Sequence, residues 1–188
     1  MIGAILIAFL AAKLKGYKIN LLFKSWAIYP ILFWELLYWY MQLAIMQDDY
    51  SFVQYSEVLQ KFYLLSFIIL IIKYKQYYSA IVGSICIFIG SILNSIVIKV
   101  NGGKMPVFPS ISYLTGYIEN NDFYKIENIH ILGSDSVKLK FLTDIFDTGF
   151  SVLSIGDIFI KAFVFIMLFN TIKYLNSNKI DGANAYID

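Results

Sequence analysis

The chain has 188 residues, of which 59% are apolar and 15% charged, against about 25% charge in an ordinary soluble domain. All fifteen basic residues are lysine, so no bidentate arginine clamp for phosphate or carboxylate exists. A net charge of +2 on scattered lysines argues against a nucleic-acid partner, and one cysteine with one histidine excludes an internal disulfide and a zinc site of the usual kind; no cofactor is expected.

Apolar runs of about 20 residues have the length of a membrane crossing. The first run, within residues 1–14, is "MIGAILIAFLAA", followed by Lys13, Lys15 and Lys18. Charge after the apolar stretch is the reverse of a secretory signal and predicts an uncleaved segment with its N-terminus outside. Twelve residues reach only about 18 Å, so this element leans on snorkelling lysines and on its neighbours. The second span, 21–46, carries Pro30 as an expected kink and Glu35 in its interior. The third covers 56–73, the fourth 77–100, and the fifth 155–175, ahead of a polar tail at 176–188. Trp26, Trp34 and Trp39 suit the interfacial belts.

Lysine placement orients these spans. Lys13, Lys15, Lys18 and Lys24 follow the first, Lys73 and Lys75 the third, Lys173 and Lys179 the fifth. Five crossings put all three groups on one side, the cytoplasmic one, with the N-terminus outside and the C-terminus inside. Asp48, Asp49, Glu57 and the whole 101–154 segment then face outward. The predicted fold is a single all-α membrane bundle of five transmembrane helices with an extracytoplasmic loop. In that loop Val137, Leu139 and Phe141 alternate with Lys138 and Lys140 after a Gly133-Ser134-Asp135 turn, so Tyr124 to Phe141 is expected to form a β-hairpin.

Span four carries Gly83, Gly90, Asn94 and Asn101, which return to one helix face at 100° per residue. Small residues permit close helix approach and amides bond across helices; alternatively Asn94 and Asn101 line an outward polar cavity. After Asn101 come Gly102, Gly103, Lys104, Met105 and Pro106. The glycines end the helix without steric cost, and Pro106 and Pro109 stop it resuming. This turn lays the returning chain across the helix tops and is expected to gather Asn101, Asp144 and Asp157 at one outward spot.

Ser154 and Asp157 have capping-box spacing at the start of span five, and Lys161 stands four residues on, able to pair with Asp157 on one face. Asp144 has no such local structural reason. Two carboxylates in a partly dry site can also share a proton and divide acid and base work, which makes Asp144 and Asp157 the candidate catalytic pair. Glu35 costs at least ~2.5 kcal/mol inside a membrane; it is either protonated or bonded to the Asn94 face, to Lys99 or to Lys161. His130 is read as an ordinary surface residue.

Leu153-Ser154-Ile155-Gly156-Asp157 resembles the step at which the second catalytic aspartate of lipoprotein signal peptidases opens a helix. Those enzymes also carry an asparagine-x-x-aspartate-arginine motif that a chain without arginine lacks, and they have four spans. More of the chain resembles an uncharacterised family of small bacterial multi-pass membrane proteins, a domain of unknown function. The likeness rests on Asn94, on Asn101 to Val107 (Asn-Gly-Gly-Lys-Met-Pro-Val), on Leu142-Thr143-Asp144-Ile145 and on Ser154-Ile155-Gly156-Asp157. Thr143 replaces the family's usual glycine, and relatives often have glutamine near Glu35. The resemblance implies a bacterial cytoplasmic-membrane location and supplies no activity. The expected function is an outward cap that binds a partner or ligand through Asn94, Asn101, Gly102, Gly103, Lys104, Glu35 and Lys161. The expected partners are the bilayer and another membrane protein or peptide. An aspartate-dyad enzyme is the alternative and a small transporter the third reading.

Overall fold

The computed structural model describes residues 1–47, 49, 51–118 and 129–184, without the side chains of Val53, Glu57 and 178–184. The chain is mostly helical: α1 (Ile2–Leu14), α2 (Asn20–Phe23), α3 (Tyr29–Ile45), α4 (Ser56–Ser66), α5 (Ile68–Lys73), α6 (Tyr77–Val100), α7 (Ile111–Leu114) and α8 (Ile155–Asn184). Among the described residues four short strands, β1 (Met105–Val107), β2 (His130–Leu132), β3 (Phe146–Asp147) and β4 (Val152–Leu153), lie between α6 and α8 in sequence.

Among the described residues, two helices, Tyr77–Val100 and Ile155–Ser177 within α8, are long and apolar enough to cross a membrane, rather than the five expected. The other three apolar runs are cut short for identifiable reasons. α1 ends after 13 residues, where Gly16 at φ 76° lets the Tyr17 N–H reach back to the Ala12 carbonyl at 2.9 Å. Pro30 does not kink a long span; it sits in the first turn of α3, where its missing N–H costs nothing, and α3 has 17 residues. The third run breaks at Phe67, where the Ser66 hydroxyl donates to the Tyr63 carbonyl at 2.6 Å and the Phe67 N–H reaches only three residues back, to the Leu64 carbonyl at 3.2 Å. The tail expected from 176 onward continues as helix to Asn184; residues 185–188 lie outside the described residues, as does Asp48.

The chain divides into two compact units. The first comprises Met1–Tyr38, Glu57–Ile85 and the chain from Lys161 onward. Its core includes Leu22, Ile31, Leu70, Val164, Met167 and Ile172. A buried series of rings, Tyr38, Tyr63, Phe67 and Phe163, meets edge to face at centroid distances of 6.0, 5.6 and 5.2 Å. Gly83 lets α6 lie on Phe163, whose ring a Cβ there would strike at 2.6 Å. Asn176 on α8 clasps the backbone of Lys18, accepting its N–H at 2.8 Å and donating to its carbonyl at 3.3 Å.

The second unit comprises Trp39–Ser56 and Cys86–Ile160. Here α6 and the start of α8 meet at two glycines. A Cβ on Gly156 would fall 2.6 Å from both Asn94 Cγ and the Gly90 carbonyl oxygen, and one on Gly90 would meet Gly156 and Ile160. Backbones this close leave no room for a side chain, which is what small residues on a helix face accomplish.

Among the described residues the expected hairpin is not formed. Its first arm, 124–128, lies outside the described residues; of the rest, β2 pairs in parallel with β1, Met105 opposite His130 and Val107 opposite Leu132. The second arm instead turns at Leu139, whose φ is 53°, into a 3-10 turn at Lys140–Leu142. Gly133 is a seat for Phe108, whose ring a Cβ at 133 would strike. The alternation of Val137, Leu139 and Phe141 therefore marked loop residues, the last two of them exposed, rather than a strand. A hairpin does occur later: β3 and β4 pair antiparallel, Phe146 opposite Leu153, around a turn with Gly149 at φ 84°. Its Asp-Thr-Gly tip was the informative turn signal.

Candidate functional site

α6 ends in a Schellman cap. Gly102 and Gly103 have φ of 69° and 85°, and the Gly103 N–H reaches the Ile98 carbonyl at 2.8 Å. No atom would obstruct a Cβ at either glycine, so their requirement is conformational. Lys104 follows, half-buried, and leads into β1.

β1 is paired on both edges. Met105 N–H donates to Ile129 and Gly133 N–H to Val107 on one side; on the other, Asp144 N–H donates to Pro106 at 3.1 Å and Phe108 N–H to Asp144 at 2.8 Å. Pro106 has no N–H with which to extend the second ladder backward, so pairing stops at the Val107–Asp144 bridge. The result fixes the backbone of Asp144 against β1, on the edge opposite β2. The Asp144 carboxyl is 3% exposed as a residue, and its Oδ2 lies 3.7 Å from Nε2 of His130, a side chain 44% exposed.

Asp157 belongs to the same unit. Ser154 is the N-cap of α8 and is fully buried; its Oγ accepts the Asp157 N–H at 2.9 Å while Asp157 Oδ2 accepts the Ser154 N–H at 3.2 Å. This reciprocal pair is the capping box. Asn94 on α6 locks onto it, donating to Asp157 Oδ1 at 3.0 Å and accepting from the Ser154 hydroxyl at 2.8 Å. With two donors from Asn94 and Ser154, the Asp157 carboxylate is set as an acceptor that fastens α6 to α8. His130 senses it: burial lowers the imidazole pKa from its ordinary value, and the Asp157 charge partly restores it.

Asp144 thus lies 3.7 Å from the imidazole of His130, and Asp157 acts on the same ring through its charge; His130 was expected to be an ordinary surface residue. A lone histidine on an apparent strand gave no signal; only the parallel pairing of β2 with β1 brings it to Asp144. Chemically, the group can take one proton at His130, with Asp144 stabilising the imidazolium.

Asn101 is committed elsewhere. Its amide donates to the Val97 carbonyl at 2.9 Å and to the Lys138 carbonyl at 3.0 Å, and accepts the Lys138 N–H at 2.9 Å. Asp147 was also missed. Its Oδ2 accepts from the Ser110 and Ser112 N–H groups at 2.6 and 2.8 Å, and its Oδ1 from the Ser112 hydroxyl and the Gly149 N–H at 2.6 and 2.8 Å. Burial raises its pKa, but the bonds from Ser112, Ser110 and Gly149 outweigh it and hold the group at about 2. Asp147 thereby ties α7 to the β3–β4 hairpin.

Glu35 and Lys161 lie in the first unit. Glu35, 6% exposed, has its Oε1 3.6 Å from the Met1 amino nitrogen. Tyr38, Tyr63 and Lys161 are within electrostatic reach of this pair.

Two membrane-length helices joined through a small cap of short strands define the class: a helical protein whose distinctive polar chemistry lies in the segment between α6 and α8. The chain belongs to DUF5317, a family of unknown function, whose model matches residues 18–169. The expected membership of an uncharacterised family is met. Neither curated proteins nor solved structures provide a match.

Proposed function

We propose that the chain is a multi-pass protein of the bacterial cytoplasmic membrane whose outward cap, residues 101–154, binds another membrane protein or a peptide. Support for membrane residence comes from α6, which exposes Ile81, Ile85, Phe88, Ile92 and Ile96. A core helix of a soluble protein would bury such a set. The shorter α1, α3 and broken α4–α5 complete the five crossings that the lysine pattern requires, by tilting little and thinning the bilayer locally.

One observation carries the binding reading. Leu114 is 87% exposed and Phe150 is 56% exposed, on two elements that Asp147 holds together and that touch where Gly149 meets Ile111 and Thr115. Large apolar side chains presented on a braced scaffold are characteristic of a binding surface. The test is a photoreactive amino acid at position 114 or 150 in native membranes, followed by mass spectrometry. The expected result is a discrete protein or peptide adduct that Asp147→Asn weakens; adducts to lipid alone would overturn the reading.

A second reading is an outward-facing enzyme using Asp144 and Asp157, favoured by the buried Asp144 carboxylate beside His130. It expects an unprocessed precursor to accumulate in cells carrying Asp144→Asn, with processing restored by the wild-type chain.

A further inference from the structure

The loop that Asn101 clasps has a composition that the cap's fold does not use. Lys138, Leu139, Lys140 and Phe141 are all exposed, with Phe141 at 59%. Together with Phe108, Ser110 and Ile145, the last three of them line an open groove of about 860 Å³. The Lys140 ammonium sits 4.3 Å from the centre of the Phe108 ring. Nothing in the second unit's core requires two apolar side chains and two ammonium groups to alternate at this spot.

Their level is set by the clasp. Asn101 is the residue after the last turn of α6, a helix of membrane length, and its two bonds hold the Lys138 backbone at that helix end. A helix end of this kind lies where hydrocarbon gives way to headgroups. Lysine and aromatic side chains suit that layer because the apolar part enters hydrocarbon while the charge reaches the phosphates.

We propose that the Lys138–Phe141 loop and the Phe108 groove bind anionic phospholipid of the leaflet in which α6 ends. Phosphate is held by the Lys138 and Lys140 ammonium groups, and acyl chain lies against Leu139, Phe141 and Phe108. The two lysines favour an anionic headgroup: Asp144 is buried, Asp147 is engaged by hydrogen bonds from Ser110, Ser112 and Gly149, and Asp135 is the one exposed acid among the described residues 129–147. This inference rests on membrane residence of the chain but not on a protein partner.

The full chain is reconstituted in phosphatidylcholine vesicles with and without 30% phosphatidylglycerol (a mole fraction of about one third, ample to charge the surface). Phe141→Trp is read against the wild-type background of Trp26, Trp34 and Trp39, using lipids with quenchers at shallow or deep acyl positions. The added indole is expected to be quenched by the shallow lipids and protected from aqueous iodide. In native mass spectrometry, the preference for retained phosphatidylglycerol over phosphatidylcholine should fall about five-fold for each of Lys138→Gln and Lys140→Gln. Asn101→Ala, with helix content checked by circular dichroism, should lose the shallow quenching. Iodide quenching without lipid quenching in a properly inserted chain would overturn this inference alone, as would an unaltered lipid preference in the double lysine variant. Recovery of the chain in the aqueous phase would overturn both this inference and the membrane reading.

Discussion

Asn101 and Lys138 exchange two hydrogen bonds across 37 residues, the carboxamide donating to the lysine carbonyl and accepting the lysine N–H. The side chain thereby acts as a one-residue strand. Asn176 repeats the device on Lys18 in the first unit, again with a third bond from Nδ2 to the carbonyl four residues back. Each asparagine stands on or just after a long helix and takes hold of a distant loop. Aspartate keeps the acceptor and loses the donor. Asn101→Ala should therefore weaken local protection of residues 138–142 by about 1–2 kcal/mol, with Asn101→Asp intermediate. Hydrogen exchange over this loop measures it; unchanged exchange in the alanine variant would mean that the clasp does not hold the loop.

The glycine crossing is less forgiving. Gly156→Ala places a methyl group against Asn94 and the Gly90 carbonyl, and forced separation of packed helices costs about 1–3 kcal/mol. Asn94→Ala in the same chain should recover only part of the loss, since it removes one obstacle and leaves the Gly90 backbone. It also removes the bonds to Asp157 and Ser154. Thermal unfolding in detergent of the two single variants and the double variant gives the coupling. Full recovery would show that the carbonyl contact yields easily.

How far the sequence reveals this arrangement depends on the range of the interaction. Local devices were legible: the glycine turn after Asn101, the Ser154–Asp157 box, and the small-residue face of α6 follow from spacing within one helix or its end. Pairings between distant segments were not. Three alternating apolar residues suggested a strand at 137–141, but strand formation needs a neighbouring edge, and the available edge of β1 was taken by β2 and Asp144. His130 reached Asp144 through that same pairing. Span lengths erred because hydropathy continues through Ser25 and Phe67, whereas regular α-helical hydrogen bonding does not.

Asp147 predicts an acid limb. Its folded pKa of about 2 lies below the ordinary 3.8, so its contribution is fully present above the unfolded value. It is lost as pH falls from about 4 towards 2, where the unfolded chain binds the proton more readily. Asp147→Asn should abolish this limb and cost about 1–2 kcal/mol at neutral pH through weaker bonds to Ser110, Ser112 and Gly149. Chemical denaturation at pH 7, 4 and 3 supplies the comparison. A pH slope unchanged by the substitution would assign the acid limb to other carboxylates.

His130 has the opposite charge type but the same direction. Partial burial of this half-exposed side chain holds its folded pKa below the ordinary histidine value despite Asp157, so the unfolded chain binds its proton first as pH falls. Stability from the neutral imidazole is complete above the ordinary value and declines as pH drops through it towards the folded value. His130→Gln should flatten stability between pH 7 and 5, leaving the Asp147 limb below pH 4 intact. A histidine resonance titrating above its ordinary value in the folded protein would reverse the sign and make Asp144, 3.7 Å away, the dominant influence.

Sidedness decides whether the cap faces out. In the second unit the start of α8 is bonded to α6 through Asn94, Ser154 and Asp157, so the C-terminal part of α6 and the first turn of α8 lie together. The proposed topology assigns the clusters Lys13, Lys15 and Lys18, Lys73 and Lys75, and Lys173 to the cytoplasmic side by the positive-inside rule. Cys86, inside α6, is replaced by serine, and Lys104→Cys then offers a thiol next to the glycine turn. A membrane-impermeant maleimide added to intact cells should label it, and prior blocking from outside should leave nothing to label after lysis. Labelling only in inverted vesicles would put the cap in the cytoplasm. It would also move the lipid site at Lys138 and Lys140 to the inner leaflet, while leaving the clasp, the capping box and the glycine crossing untouched.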